Sequence, residues 1–218
     1  DVSSVTDMDQ IFDDMSSLSE ENQCAMQASF SSYESWPYDW ASICFFQPQT
    51  TSELQTAVDL WISDNYQALS IHDEINTWDV SLIADMTNLF FQKTNFNDDI
   101  SNWDVSSVTN MERMFSYASS FNGDLSSWDV SSVTDMYRMF WNATSFNQDI
   151  SNWDVSSLTN ISEMFEAATS FNQDLSGWDV SSVTNFKSTF QGASSFNQDL
   201  SGWDVSSATR MYGMFYRA

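Results

Sequence analysis

A period of 25 residues runs through this chain and constrains its fold more than any other feature. Trp78, Trp103, Trp128, Trp153, Trp178 and Trp203 are each 25 residues apart, and so are Phe90, Phe115, Phe140, Phe165, Phe190 and Phe215. Phe96, Phe121, Phe146, Phe171 and Phe196 keep the same spacing. No insertion breaks the register from Trp78 onward. A unit this short cannot bury its own apolar face, so such units fold by stacking into one continuous core.

Each unit has two halves with different patterns. In the first, Leu125, Trp128, Val130 and Val133 are apolar, and Trp128-Asp129-Val130 alternates in a way that suits a short strand. In the second, Met136, Met139, Phe140 and Ala143 fall at i, i+3, i+4 and i+7, the apolar stripe of about two helical turns. Thr109 and Glu112 have capping-box spacing at the start of one such stripe. These patterns predict an α/β repeat solenoid, with one short parallel strand plus a short helix per 25-residue coil and the strands side by side as a parallel sheet.

The segment Leu125-Ser126-Ser127-Trp128-Asp129-Val130 resembles the strand of a leucine-rich repeat. More closely, Phe171 to Ser182 (Phe-Asn-Gln-Asp-Leu-Ser-Gly-Trp-Asp-Val-Ser-Ser) resembles the BspA-like surface-protein repeats, formerly a domain of unknown function. That resemblance covers roughly residues 75–218. It implies a leucine-rich-repeat-like solenoid, a cell-surface or secreted location and adhesion or binding, and it implies no catalytic residues. Unlike true leucine-rich repeats, the units place Val108 and Val133 where an Asn ladder would follow the strand.

Four stretches follow from this reading. Residues 76–218 form the array of about six repeats. Residues 46–75 form a helical cap, because Leu54, Ala57, Val58 and Trp61 share one helical face that can cover the first coil. Residues 19–45 are non-repetitive and hold both cysteines, Cys24 and Cys44. Residues 1–18 are a partial repeat, either the end of a preceding array or a capping segment, since Asp1 to Phe12 aligns without a gap on Asp129 to Phe140. The chain opens without a leader pattern, which points to processing or to a longer parent polypeptide.

The charge is extreme: 31 acidic residues stand against 6 basic ones, for a net charge of -25. Such a surface repels nucleic acid and anionic membranes and attracts cations. No apolar run is long enough to span a membrane. Two cysteines can be a disulfide or two buried thiols; a Cys24–Cys44 bridge is expected, because it would staple the one segment without repeat support. Asn142 and Asn160 open glycosylation acceptor triplets. Together these features point to an extracellular or cell-surface home.

Two carboxylate columns are the candidate site. Asp79, Asp104, Asp129, Asp154, Asp179 and Asp204 each follow the repeat tryptophan, and Asp99, Asp124, Asp149, Asp174 and Asp199 each stand two residues after the repeat asparagine. In stacked strands, neighbours in a column would be about 5 Å apart. Like charges that close cost about 1 kcal/mol per pair in water, so something must offset them. Calcium-like cations would do so, since hard cations take carboxylate oxygens. Alternatively, each Asp folds back onto the backbone N–H two residues on, and the Asn column is a structural amide ladder.

The tryptophans and the Met/Phe stripe read as core, although exposed tryptophans would also suit sugar stacking. The paired serines, such as Ser106 and Ser107, suit either a turn or a regular lattice ligand. His72 is the only histidine, and no nucleophile or phosphate-loop motif is present, so no enzyme is expected. Two functions remain. One is an extracellular structural or adhesive scaffold, elongated and acidic, that assembles head to tail into filaments with Val2, Val5, Met8, Ile11 and Phe12 covering the last coil of a neighbour. The other is a receptor-like module that binds a protein, glycan or mineral on its acidic face.

Overall fold

The computed structural model describes residues 46–218 and, before them, Met26 alone. Residues 1–18 and most of 19–45, including Cys24 and Cys44, lie outside the described residues. Helix α1 (Thr51–Ser63) is capped by Thr50, whose side chain accepts from the N–H of Glu53. Helix α2 (Asn65–His72) is capped in the same way by Asp64, which accepts from the N–H of Gln67. A single 3-10 turn, Ile75–Thr77, leads into the first repeat.

The repeats stack in register, but not as strands and helices. Among the described residues, pairing between coils in sheet geometry is confined to isolated parallel bridges, Asp85 with Asn110 and onward through Asn185 with Arg210. These bridges fall just before the Met/Phe half and not at Trp-Asp-Val. The α/β solenoid with a strand and a helix in every coil is therefore overturned. The Thr109–Glu112 capping box does not form either: the Thr109 hydroxyl donates to the Ala84 carbonyl, and Asn110 accepts from the Glu112 N–H.

The Met/Phe half is a ribbon of consecutive turns. Met86, Asn88, Phe90 and Gln92 donate their N–H groups to the carbonyls of Asn110, Glu112, Met114 and Ser116 in the next coil, at 2.8–2.9 Å. The alternate residues Leu89, Phe91 and Lys93 donate backward, three residues along, to Met86, Asn88 and Phe90. The same alternation recurs in each following coil as far as a neighbour exists. A left-handed residue stands at every fourth position and stops helix propagation: Asn88 and Gln92, Arg113 and Tyr117, Arg138 and Asn142, Glu163 and Ala167. In the last two units glycines take one place in each pair, Gly192 (φ +69) and Gly213 (φ +70).

Side chains tie the other half together. The indole N–H of Trp103, Trp128, Trp153, Trp178 and Trp203 donates to the carbonyl of Ile75, Ile100, Leu125, Ile150 and Leu175 respectively. The backbone N–H of Asn122, Asn147, Asn172 and Asn197 donates to the side-chain oxygen of the asparagine one coil earlier, at 2.7–2.9 Å. Threonine hydroxyls form a third ladder through Thr109, Thr134, Thr159, Thr184 and Thr209. Between these ladders runs the core. Phe90, Phe115, Phe140, Phe165, Phe190 and Phe215 stack nearly parallel, with centroids 5.3–5.7 Å apart. The first five of these rings also lie against the second phenylalanine of their own coil, as Phe140 does against Phe146 at 3.9 Å.

Helix α1 packs on the first coil. Its buried Leu54, Ala57, Val58 and Trp61 meet the repeat core, and Trp61 stands edge-on to Trp78. Two of its polar side chains, one helical turn apart, donate to first-coil carbonyls: Thr51 to Asp85 and Gln55 to Leu89. Those are the positions that accept N–H groups from the preceding coil elsewhere in the array.

Candidate functional site

The eleven column aspartates all lie on the surface, ten exposed and Asp79 half-buried. Each accepts the backbone N–H of the serine two residues on, at 2.9–3.1 Å, from Asp79 to Ser81 through Asp204 to Ser206. The hydroxyls of Ser106 and Ser156 add a second bond to Asp104 and Asp154. These bonds favour the ionised carboxylate. The Ser131 side chain and N–H hold Asp129 below its ordinary range, and the Ser126 N–H and side chain do the same for Asp124. Column neighbours push the other way: Asp129 and Asp179 raise Asp154, and Asp149 and Asp199 raise Asp174. The serine bonds outweigh that repulsion, so both groups still lie below the ordinary value.

Each carboxylate is thus the cap of its own turn. The structure brings the eleven residues into two columns, but among the described residues no three carboxylate, imidazole or thiol groups converge as a metal-binding set. The asparagine column is occupied by the backbone ladder described above.

The turn ribbon carries a different chemistry. The repeat sequence varies there, and Lys93, Arg113, Arg138 and Lys187 all lie on it. Glu163 is buried, with its side chain only 4% exposed, and it receives Arg138 at 2.5 Å and Lys187 at 2.6 Å. Burial raises the Glu163 carboxyl, but the hydrogen bonds and charges of Lys187 and Arg138 outweigh it and leave the group below its usual range. Glu166 has no such partner; burial and the Glu163 charge push it up. The Arg138 guanidinium also lies over Trp141 at 4.1 Å, which in turn meets Tyr117 edge-on. No sequence motif announced this cluster, because its residues come from three coils, with Arg138 and Glu163 in one column and Lys187 one position off it. The 25-residue offset from Arg138 to Glu163 is the signal that would have found it.

The face of the last coil is the third feature. Trp203, Val205, Met211, Met214 and Phe215 line an open concavity of about 440 Å³ there. Met211 and Phe215 are 43% and 52% exposed, whereas the equivalent Met136 and Phe140 are fully buried. The N–H groups of Met211, Gly213, Phe215 and Arg217 occupy the positions that donate to the next coil elsewhere, and none has a backbone partner among the described residues.

Of the remaining positions, Asn142 is half-buried in a left-handed turn of the ribbon. Asn160 donates to the Asp135 carboxylate and accepts from Ser162, so its amide is engaged on both sides. His72 sits against Phe46 beside α1, and burial lowers its pKa. No helix among the described residues is long and apolar enough to cross a membrane.

The repeat array is also what comparison with known proteins recognises. A family model described as "Mycoplasma protein of unknown function, DUF285" matches residues 61–172 and again 148–218, together well over half of the chain. The chain belongs to this family. The two DUF285 matches overlap within the array, as expected when a model longer than one unit is laid on repeats of constant period. No curated protein matches the chain, and no solved structure does. Membership in DUF285 therefore identifies the repeat and brings no activity with it.

Proposed function

We propose that this chain is an extracellular structural or adhesive repeat protein, a strongly acidic scaffold that extends end to end. The observation that carries this reading is the polarity of the ribbon. Within the ribbon, every coil offers N–H groups on one side and carbonyls on the other, with aromatic rings stacked beside them. Such a unit adds to its like without limit, and a head-to-tail contact of this kind grows into a filament unless its rotation closes a ring. The placement outside the cell rests on the acceptor triplets, the cysteine pair and the likeness to BspA-like surface repeats. The reading involves no chemical step and no catalytic residue.

Negative-stain imaging of the chain at rising concentration tests it. Threads whose length grows with concentration are expected, and separate particles of constant length at every concentration would overturn it.

A second reading, a module that binds a protein or glycan, is favoured by the two exposed Asp columns, which contain no basic residue. Calcium-like cations are the proposed counter-ions of those columns. Cations that bind only the folded chain raise its melting temperature by mass action. The cation proposal therefore expects a higher melting temperature in millimolar calcium than in chelator at constant ionic strength. An unchanged value would leave the aspartates as turn caps alone.

A further inference from the structure

Arg113 stands apart from the other cations in the middle of the ribbon. Lys93 is held by Asp59, and Arg138 and Lys187 share Glu163. The Arg113 guanidinium has no hydrogen-bond acceptor among the described residues, and Glu112 lies 3.7 Å from its Nε, beyond hydrogen-bonding distance. The column explains why. One coil on from Arg138 stands Glu163, but one coil on from Arg113 stands Arg138, a like charge, and one coil back stands the neutral Asn88.

The surroundings of Arg113 hold further unused donors. Its Nε is buried without a partner, and so is the hydroxyl of Ser116, a residue with no exposed surface. Such donors are rare, because each has given up water and gained nothing in return. The two lie side by side: in later coils the same pair of columns sets Arg138 over Trp141 and bonds Ser188 to Gln191. Ser116 also interrupts a column of large rings, with Phe91 before it and Trp141 after it. The half-buried Tyr117 stands edge-on to both rings, at 6.2 and 4.7 Å. Tyr137 completes the rim, with Arg113 at 5.5 Å and Arg138 at 4.9 Å from its ring centre.

The ligand chemistry follows from these groups. A planar guanidinium without an acceptor matches a carboxylate, which takes two parallel N–H bonds from it. Tyrosine and tryptophan rings, apolar in body and polar at the tip, suit the faces and hydroxyls of a sugar. An extended peptide would bind by adding backbone hydrogen bonds, and the ribbon has none to give here. Every N–H from Met111 to Ala118 and every carbonyl from Asn110 to Tyr117 already has a partner. Recognition at this place falls to side chains.

We propose that Arg113, with Tyr117, Tyr137 and Trp141 around it, binds the carboxylate of a uronic-acid sugar in an acidic glycan. This places glycan binding on the ribbon and not on the aspartate columns. It does not depend on end-on extension, so the scaffold reading stands or falls separately.

The test is titration calorimetry on the full chain near physiological salt, where charges screen over about 8 Å. Chelator is present, so that calcium cannot bridge the ligand to the aspartates. The probes are polygalacturonate, a neutral galactan, a sulfated galactan and polyglutamate. Polygalacturonate should bind about tenfold more tightly than each of the others, and Arg113→Gln should lose about that factor. Arg113→Lys keeps the charge without the fork and should recover only part of it. Arg210→Gln removes the same charge from an exposed side chain in the last coil and should leave binding unchanged. Arg113→Gln breaks no hydrogen bond among the described residues, so its melting temperature should match that of the unaltered chain. If it melts lower, the partial loss in Arg113→Lys carries the test. No heat with polygalacturonate, or an affinity that the Arg113 variants leave unchanged, would overturn the proposal. Equal binding of the sulfated galactan would mean that bare charge is read, and equal binding of polyglutamate that the partner is an acidic peptide. Either result overturns the uronate assignment.

Discussion

Cutting one ring from the phenylalanine column should cost an amount that depends on its position in the stack. Phe140 is fully buried, with Phe115 and Phe165 at 5.6 and 5.7 Å on either side and Phe146 at 3.9 Å in its own coil. Truncating a buried phenylalanine to alanine costs about 3–5 kcal/mol, and losing three stacked partners puts Phe140→Ala toward the upper end, about 4–5 kcal/mol. Phe215 is 52% exposed and stacks on Phe190 at 5.6 Å. With roughly half the area and one partner in its column, Phe215→Ala should cost about 1.5–2 kcal/mol. The gap of about 2–3 kcal/mol is a factor of about 30 to 150 in the unfolding equilibrium. Urea titration followed by tryptophan fluorescence reads it, at protein concentrations low enough to keep the chain monomeric. Equal costs for the two variants in the monomer, within about 0.5 kcal/mol, would refute the nearest-neighbour reasoning.

Three further outcomes follow from the same contacts. The aspartates Asp124, Asp129, Asp149 and Asp154 lie below their ordinary value of 3.8 in the folded chain. Their contribution is therefore complete above that value and is lost as pH falls through the lower folded ones. Thermal melts should accordingly be insensitive to these groups from pH 7 to about 5 and should drop below about pH 4; a midpoint unchanged down to about pH 2.5 would contradict this. Arg138→Ala leaves buried Glu163 with Lys187 alone and should cost about 2–3 kcal/mol, part of which adding Glu163→Gln should recover; a full cost in the double variant would remove the ion pair as its cause. Gly192→Ala puts a side chain at φ +69 with no contact closer than 3.8 Å, so backbone strain alone should cost about 1 kcal/mol. Gly177→Ala, free of that strain, should stay within about 0.5 kcal/mol, and equal effects at the two sites would show that φ is not the reason.

The core was legible from the period. A residue in the Trp, Val, Met or Phe column meets its own kind one coil away, so the period together with apolar character identifies what is buried. The role of the aspartates as turn caps was legible too, as one of two readings: in all eleven copies a serine follows two residues later. The backbone was not legible. The spacing of Met136, Met139, Phe140 and Ala143 fits one face of a helix, but it fits a ribbon of turns equally well, since both advance by three and four residues between inward positions. The residues that distinguish them are those at positive φ. Asn88, Asn142, Gly192 and Gly213 are types that tolerate it, but Arg113, Tyr117, Glu163 and Ala167 in the same columns are not. The columns therefore carry no composition that a reading of one unit would recognise.

What selects the ribbon is the neighbour. A helix of two turns leaves its first four N–H groups and last four carbonyls without partners, so at this length few backbone bonds form within it. The ribbon divides the same groups differently. Alternate N–H groups close turns within the coil, and the others cross to the next one, as Met86, Asn88, Phe90 and Gln92 do. The crossing bonds require neighbouring coils in register, and the stacked rings at 5.3–5.7 Å hold them there. Ring column and backbone ladder thus stabilise each other, and neither is complete in a single unit. A coil that has a neighbour on both sides satisfies every crossing group, and in the first coil Thr51 and Gln55 of α1 meet two of the carbonyls that face away from the array. The local conformation and the stacking of the coils come from the same set of bonds. A substitution that forced true helix on one Met/Phe segment would remove its crossing bonds and cut the array at that coil.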